Sequence, residues 1–252
     1  MRNLFYLLSA QAEVLMKIAA HRGVSSLAPE NTLAAFQKAA EMGCEWIEFD
    51  VQLTKDKIPV VIHDKTVKRC TNGNGIVSEM NLAELKLLDA GSWFSEAFCD
   101  QKIPTLEEVL DLAKQNNMSV NIELKIYPED NVPLLCEQIS KAINKSGFPV
   151  SSVLFSSFDI EAMKYMHISQ PNIRRGQLWE EIPDDALSHL TAIEAYSVHC
   201  DHRYLKQEQA KWIKQKDYKI CCYTANNPEE VNSHREWGVD LVFSDTPQVY
   251  IE

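Results

Sequence analysis

The chain has little of what would set it apart from ordinary globular proteins. Its 8 glycines and 10 prolines among 252 residues form no low-complexity stretch, which excludes collagen-like and linker-dominated classes. Long apolar runs are absent, since no window approaches the roughly 18 apolar residues of a membrane span. Positive charge is scarce: 25 Lys and Arg stand against 36 Asp and Glu, for a formal net charge of -11. Such a surface repels nucleic acid and anionic lipid unless a local positive centre or a metal intervenes. The 7 cysteines are odd in number and contain no CxxC pair. A disulfide framework is therefore not expected, and buried thiols in a reducing, cytoplasmic compartment are. No serine, cysteine or threonine nucleophile motif is found.

What remains is a sizeable chain of ordinary composition, 45% hydrophobic and 24% charged, long enough for one domain with a full core. Residues 1–15 read as an appendage. In "MRNLFYLLSAQA" the apolar core Leu4 to Leu8 is too short for a signal peptide. "MKIAAHRG" opens a strand directly at Met16, so a start there is the other reading.

From 16 to 252 the pattern is strand, loop, helix, repeated. "KIAA" (17–20) and "EWIEFDVQL" (45–53) read as strands around an amphipathic helix at 30–43; helix 104–117 and strand 118–126 follow. Later units include a short helix near 183–190, a strand near 192–198, a helix from Tyr204 to Lys216 and the helix "PEEVNSHREWG". About eight strands alternating with helices point to a closed ring of parallel strands, the TIM (β/α)8 barrel, with a doubly wound open sheet as the other possibility. The interval 54–103 is far longer than a loop and a helix require, so an insertion after the second strand is expected there, and connections that long tend to carry function.

In such a barrel the chemistry gathers at the C-terminal ends of the strands. His21 and Arg22 end the first strand, Glu48 and Asp50 lie near the end of the second, and Glu123 and Lys125 end the third. Period-two spacing puts Glu48 with Asp50, and Glu123 with Lys125, on one face, while Ile47, Phe49 and Val51 face the helices. Three converging carboxylates repel one another and call for a cation; oxygen-only ligation suits one divalent ion, Mg²⁺ or Ca²⁺. The other reading is a structural salt-bridge network with Arg22 and Lys125. In "VVIHD", His63 again ends an apolar run. Together with His21 it makes a general acid and base pair, and with cations to neutralise a phosphate the parts ask for phosphodiester cleavage.

Six motifs in order, "HRG", "PENT", "EFDV", "VVIHD", "NIELK" and "GVDLVFSDTP", resemble the glycerophosphodiester phosphodiesterases over nearly the whole chain after the first fifteen residues. The resemblance implies a TIM barrel with a small subdomain after the second strand, and metal-dependent hydrolysis of a small-molecule glycerophosphodiester to glycerol 3-phosphate and an alcohol. It implies Glu48, Asp50 and Glu123 as metal ligands, His21 and His63 as the catalytic pair, and Arg22 and Lys125 as phosphate contacts. His21 is taken as base and His63 as acid, with either water or the neighbouring glycerol hydroxyl as nucleophile. Glu30 reads either as a glutamate holding the first loop or as a favourable helix N-terminal charge. Phe158, Trp93, Trp179 and Tyr223 are candidates for packing against glycerol or head group. Two alternatives stand beside this reading: a lysophospholipase D-like or sphingomyelinase D-like phosphodiesterase, and a non-catalytic barrel that binds a metabolite. No nucleic acid and no stable membrane association are expected, and the oligomeric state is not predicted.

Overall fold

The computed structural model describes residues 16–251; the appendage expected at 1–15 lies outside the described residues. Nine strands form one sheet: β1 (Lys17–His21), β2 (Trp46–Leu53), β3 (Pro59–Val61), β4 (Ser119–Leu124), β5 (Val153–Ser157), β6 (Arg174–Trp179), β7 (Ser197–Asp201), β8 (Lys219–Tyr223) and β9 (Leu241–Ser244). Eight of them pair in parallel, and β1 bonds to both β9 and β2, so the sheet closes into a barrel. Only β3 stands outside the ring, antiparallel on the end of β2. The helices are α1 (Leu33–Glu41), α2 (Leu82–Leu85), α3 (Leu106–Gln115), α4 (Val132–Ser146), α5 (Ile160–Ser169), α6 (Ala186–Ala192), α7 (Gln207–Gln215) and α8 (Asn232–Glu236). This is a TIM barrel, as the alternation of strand and helix predicts.

β2 shows how the sequence makes the wall. Ile47, Phe49 and Val51 point outward into the core shared with α1 and α3, where Phe36 meets Phe49 edge-on with ring centroids 5.6 Å apart. Each such buried side chain stabilises the fold by about 1.5–3 kcal/mol relative to exposure. The alternate residues Trp46, Glu48 and Asp50 face the barrel interior. The lower interior is closed by an apolar plug of Ala19, Trp46, Leu154, Cys221, Leu241 and Phe243, so the barrel is a packed core below and a polar cup above.

Segment 54–103 carries a core of its own, built from Val60, Ile62, Val67, Val77, Leu85, Ala90 and Ile103. Val60 and Ile62 anchor the "VVIHD" segment in that core, while Val61 packs into the barrel's core, and this sets His63 beside the mouth. Several boundaries differ from expectation. The strand expected near 192–198 runs Ser197–Asp201, because Thr191 and Ala192 complete α6 and Glu194 turns the chain at φ 45°. Helix 30–43 begins at Leu33, capped by Thr32, because Asn31 is left-handed at φ 56°. "PEEVNSHREWG" divides into a 3₁₀ turn (Pro228–Val231) and the short α8.

Candidate active site

The mouth is assembled by two local devices. In "HRG", Arg22 adopts φ 57° and Gly23 φ 81°. A Cβ on Gly23 would lie 2.6 Å from the carbonyl carbon of Ala35, so only glycine lets this turn sit against α1. The turn aims the Arg22 backbone N–H at Glu48 Oε2 (3.0 Å) while its guanidinium reaches Glu30 (2.9 Å) and Asp50 (3.3 Å). The second device is strand register: β2 and β4 pair so that Asp50 lies opposite Glu123 and Glu48 opposite Asn121. Carboxylate oxygens of Glu48, Asp50 and Glu123 therefore lie within 4.8 Å of one another.

The cluster is both paired and incomplete. Lys125 Nζ contacts Glu123 at 2.7 Å and Asp50 at 3.7 Å, and Asn31 donates to Asp50 at 2.9 Å. Burial pushes the Asp50 carboxyl up, but Arg22 and Lys125 outweigh it and hold Asp50 below the usual carboxylate range. Glu48 is opposite in sense: burial, and then the charges of Asp50 and Glu123, push it well above that range. Its Oε1 is buried with no hydrogen-bond partner. The salt-bridge network foreseen as the alternative is thus present around Asp50 and Glu123, yet among the described residues it leaves Glu48 Oε1 without a partner. A buried orphan oxygen in a triad of hard donors fits a divalent cation, and these three residues are the ones that could hold it.

Each imidazole is backed by a carboxylate. His21 Nδ1 lies 2.6 Å from Asp245 Oδ1, and Asp245 is itself fixed by Ser25 and Asn226, both at 2.9 Å. His63 Nδ1 lies 2.8 Å from Asp64, which Arg69 ties to Glu30, while the Lys125 ammonium donates to His63 Nε2 at 3.2 Å. Glu30 therefore holds the first loop by bridging Arg22 and Arg69; it lies outside α1, whose first turn carries no acid, so the helix-charge reading is set aside.

Of the seven residues expected from sequence, six line one cavity of about 250 Å³: His21, Arg22, Glu48, His63, Glu123 and Lys125. Asp50 sits just beneath the lining, 1% exposed. Phe158 and Tyr223 also line the cavity, with their rings 6.2 Å apart, whereas Trp93 and Trp179 do not. A wider cavity of about 900 Å³ opens between the loops after β7 and β8 and shares Tyr223 and Thr224 with the first. Sequence reading missed Asp64 and Asp245, although both stand inside motifs it singled out. It also missed the polar floor of Asn121, Ser156 and His199, whose signal was their inward parity on β4, β5 and β7.

Fold and site together define a TIM-barrel enzyme whose chemistry is built at the C-terminal ends of its strands. The Glycerophosphoryl diester phosphodiesterase family profile matches residues 21–249, and the chain belongs to that family. It is 37% identical over 238 residues to a glycerophosphodiester phosphodiesterase of Caldanaerobacter subterraneus, covering 93% of this chain and 96% of that one. It is 35% identical over 246 residues to a Bacillus subtilis protein of the same name, covering 92% and 84%. Among solved structures, a phosphodiesterase of Oleispira antarctica in complex with the product sn-glycerol-3-phosphate superposes with a TM-score of 0.88 at 35% identity, covering 92% of this chain and 94% of that one. A glycerophosphodiester phosphodiesterase of Agrobacterium tumefaciens gives 0.80 at 27%, covering 94% and 99%.

Proposed function

We propose that this protein hydrolyses glycerophosphodiesters to sn-glycerol 3-phosphate and an alcohol, with one divalent cation, Mg²⁺ or Ca²⁺, held by Glu48, Asp50 and Glu123. The observation that carries the reading is the orphaned Glu48 oxygen in a carboxylate triad whose cavity also holds both imidazoles. The product complex of the Oleispira relative supports the substrate class.

When bound, the cation supplies Lewis-acid neutralisation of the phosphate charge. Arg22 and Lys125, half enclosed beside it, bind the non-bridging oxygens and orient the diester. His21 acts as general base: Asp245 fixes its ring and stabilises the imidazolium formed when it takes the proton of the nucleophile. His63 acts as general acid toward the leaving alcohol, with Asp64 orienting its ring at Nδ1. The nucleophile is water or the neighbouring glycerol hydroxyl.

We assign residues 16–252 to one catalytic barrel in which segment 54–103 supplies His63. The seven cysteines are free thiols, six of them buried, which supports a reducing, cytoplasmic setting. Among the described residues no helix is long and apolar enough to cross a membrane.

Purified protein incubated with a panel of glycerophosphodiesters, with Mg²⁺, with Ca²⁺ and with chelator, is expected to release glycerol 3-phosphate only when metal is present. No release from any member of the panel with either ion would overturn the proposal. His21→Ala and His63→Ala should each cut turnover by about 10² to 10⁴ without loss of fold, the usual span for a general acid or base.

A further inference from the structure

Among the described residues, and apart from Arg22 Nε, which faces Asp50 at 3.3 Å, three polar atoms on residues lining the active-site cavity have no hydrogen-bond partner: Glu48 Oε1, Asn121 Oδ1 and His199 Nδ1. The first belongs to the carboxylate triad, and the other two are unused by anything described so far. Asn121 is 1% exposed and His199 0%, so neither atom can turn to bulk water. An unmet buried acceptor or donor is costly, and native structures leave few of them.

Both side chains are held in place from behind. The Asn121 amide donates to Ser156 Oγ at 2.9 Å. His199 meets Ser197 Oγ through Nε2 at 2.9 Å and tilts against Phe243 with ring centroids 5.5 Å apart. Gly176 makes room for that ring, since a Cβ there would lie 2.4 Å from His199 Nε2. Burial also keeps the imidazole uncharged, lowering its pKa to about 3. The mouth of the cup is thus lined by charges, whereas its floor is neutral, with Leu178 and Phe243 as apolar walls.

We propose that Asn121 and His199 form a hydroxyl-recognising floor that seats the polyol end of the substrate inside the barrel, phosphate toward the mouth. A hydroxyl both donates and accepts, so it satisfies Nδ1 in either tautomer of a neutral imidazole. Carbon-bound hydrogens of the same polyol pack on Leu178 and Phe243. An ammonium group would meet no carboxylate on this floor, and a second phosphate would meet no cation. The inference rests on the reading of the site as one for glycerophosphodiesters and adds the residues that choose the glycerol end.

The test is calorimetric binding of four monophosphates, with and without Mg²⁺: sn-glycerol 3-phosphate, 2-hydroxypropyl phosphate, 3-hydroxypropyl phosphate and propyl phosphate. Each hydroxyl removed should weaken binding to the native protein by about tenfold or more, the value of one buried hydrogen bond. Asn121→Leu and His199→Phe should erase most of that discrimination while leaving propyl phosphate binding unchanged. Equal affinity of the native protein for all four ligands, or equal weakening of all four by the variants, would overturn the floor. Should a variant fail to fold, ¹⁵N imidazole spectra of the native protein decide: sn-glycerol 3-phosphate should shift the His199 Nδ1 resonance and propyl phosphate should not, and a shift by neither refutes the proposal. Hydroxyl discrimination without diester hydrolysis would sink the proposed reaction and keep the floor; hydrolysis without discrimination would do the reverse.

Discussion

Arg22 is where strain and chemistry meet at a single residue. A side-chain-bearing residue at φ 57° costs roughly 1–3 kcal/mol, and it persists because its surroundings hold it there. Its carbonyl takes a bond from the Asn31 N–H (3.0 Å), its own N–H goes to Glu48, and its guanidinium is shared by Glu30 and Asp50. Asp245 does comparable work for His21. Burial raises the Asp245 carboxyl, but bonds from His21, Asn226 and Ser25 outweigh it and hold it well below the usual range. Asp245→Asn would offer an amide where His21 Nδ1 needs an acceptor, so turnover should fall by about 10² to 10⁴ while the cation dissociation constant stays as in the native protein; an unchanged turnover would show that the ring needs no orienting partner. His199 gives a pH prediction. Its folded pKa, about 3, lies below the unfolded value of about 6.5, so the unfolded chain binds the extra proton. Stability from this residue is full above about pH 6.5 and declines as pH falls toward 3, at a limiting slope near 1.4 kcal/mol per unit. Urea unfolding between pH 7 and 4 should show a steeper decline for the native protein than for His199→Phe, and parallel curves would refute it. That the seven expected residues gather at the mouth was legible because each polar side chain interrupts an apolar run. Asp64 and Asp245 were not, because their partners are set by tertiary neighbours: Asp245 reaches His21 only once β9 closes the ring beside β1.

Strands place the chemistry by parity, and the loops after them give it direction. The inward parity of Glu48, Asp50 and Glu123 could be read from alternation alone, since the opposite face of β2 is wholly apolar. Their convergence needed the β2–β4 register, which sets Asp50 opposite Glu123 and which alternation within either strand does not encode. The span of segment 54–103 was legible as an interruption of rhythm. Its interior was not, because a seven-residue core drawn from turns and one-turn helices has no periodicity to detect. Boundaries were lost where a cap or a left-handed residue overrode propensity, as at Thr32 and Asn31. The β1–α1 connection offers a sharp test at this scale. Gly23 combines φ 81° with contact against the α1 backbone, so Gly23→Ala must both strain the turn and push α1 from the barrel. The loss should be about 2–4 kcal/mol, from backbone strain and overpacking together, with an accompanying loss of activity because Arg22 and His21 flank the turn. Chemical denaturation measures the first and the phosphodiesterase assay the second; a variant as stable as the native protein would mean that the turn is not under this constraint.

At the scale of the whole molecule, a surface of net charge -11 must admit an anionic diester. It can do so only if the local field at the mouth is inverted, and exposed charges elsewhere are screened beyond about 8 Å at physiological ionic strength. Arg22 and Lys125 supply part of that inversion, but both are already engaged by carboxylates. On the proposed reading the remainder would fall to the cation, which would couple its binding to folding. A ligand that binds only the folded state at a hundred times its dissociation constant adds about 2.7 kcal/mol, which for a chain of this size corresponds to a rise in Tm of about 5–10 °C. Mg²⁺ or Ca²⁺ should therefore raise the melting temperature of metal-stripped protein by several degrees, whereas a monovalent salt at equal ionic strength should not. Glu48→Gln separates the two contributions of the triad. It removes the charge that burial and its neighbours disfavour, so the stripped variant should melt at or above the native temperature, while the increment gained from the cation should shrink sharply. A stripped variant that melts well below the native protein would mean that the Glu48 charge is already compensated without a cation. A cation increment equal to that of the native protein would remove Glu48 from the ligand set.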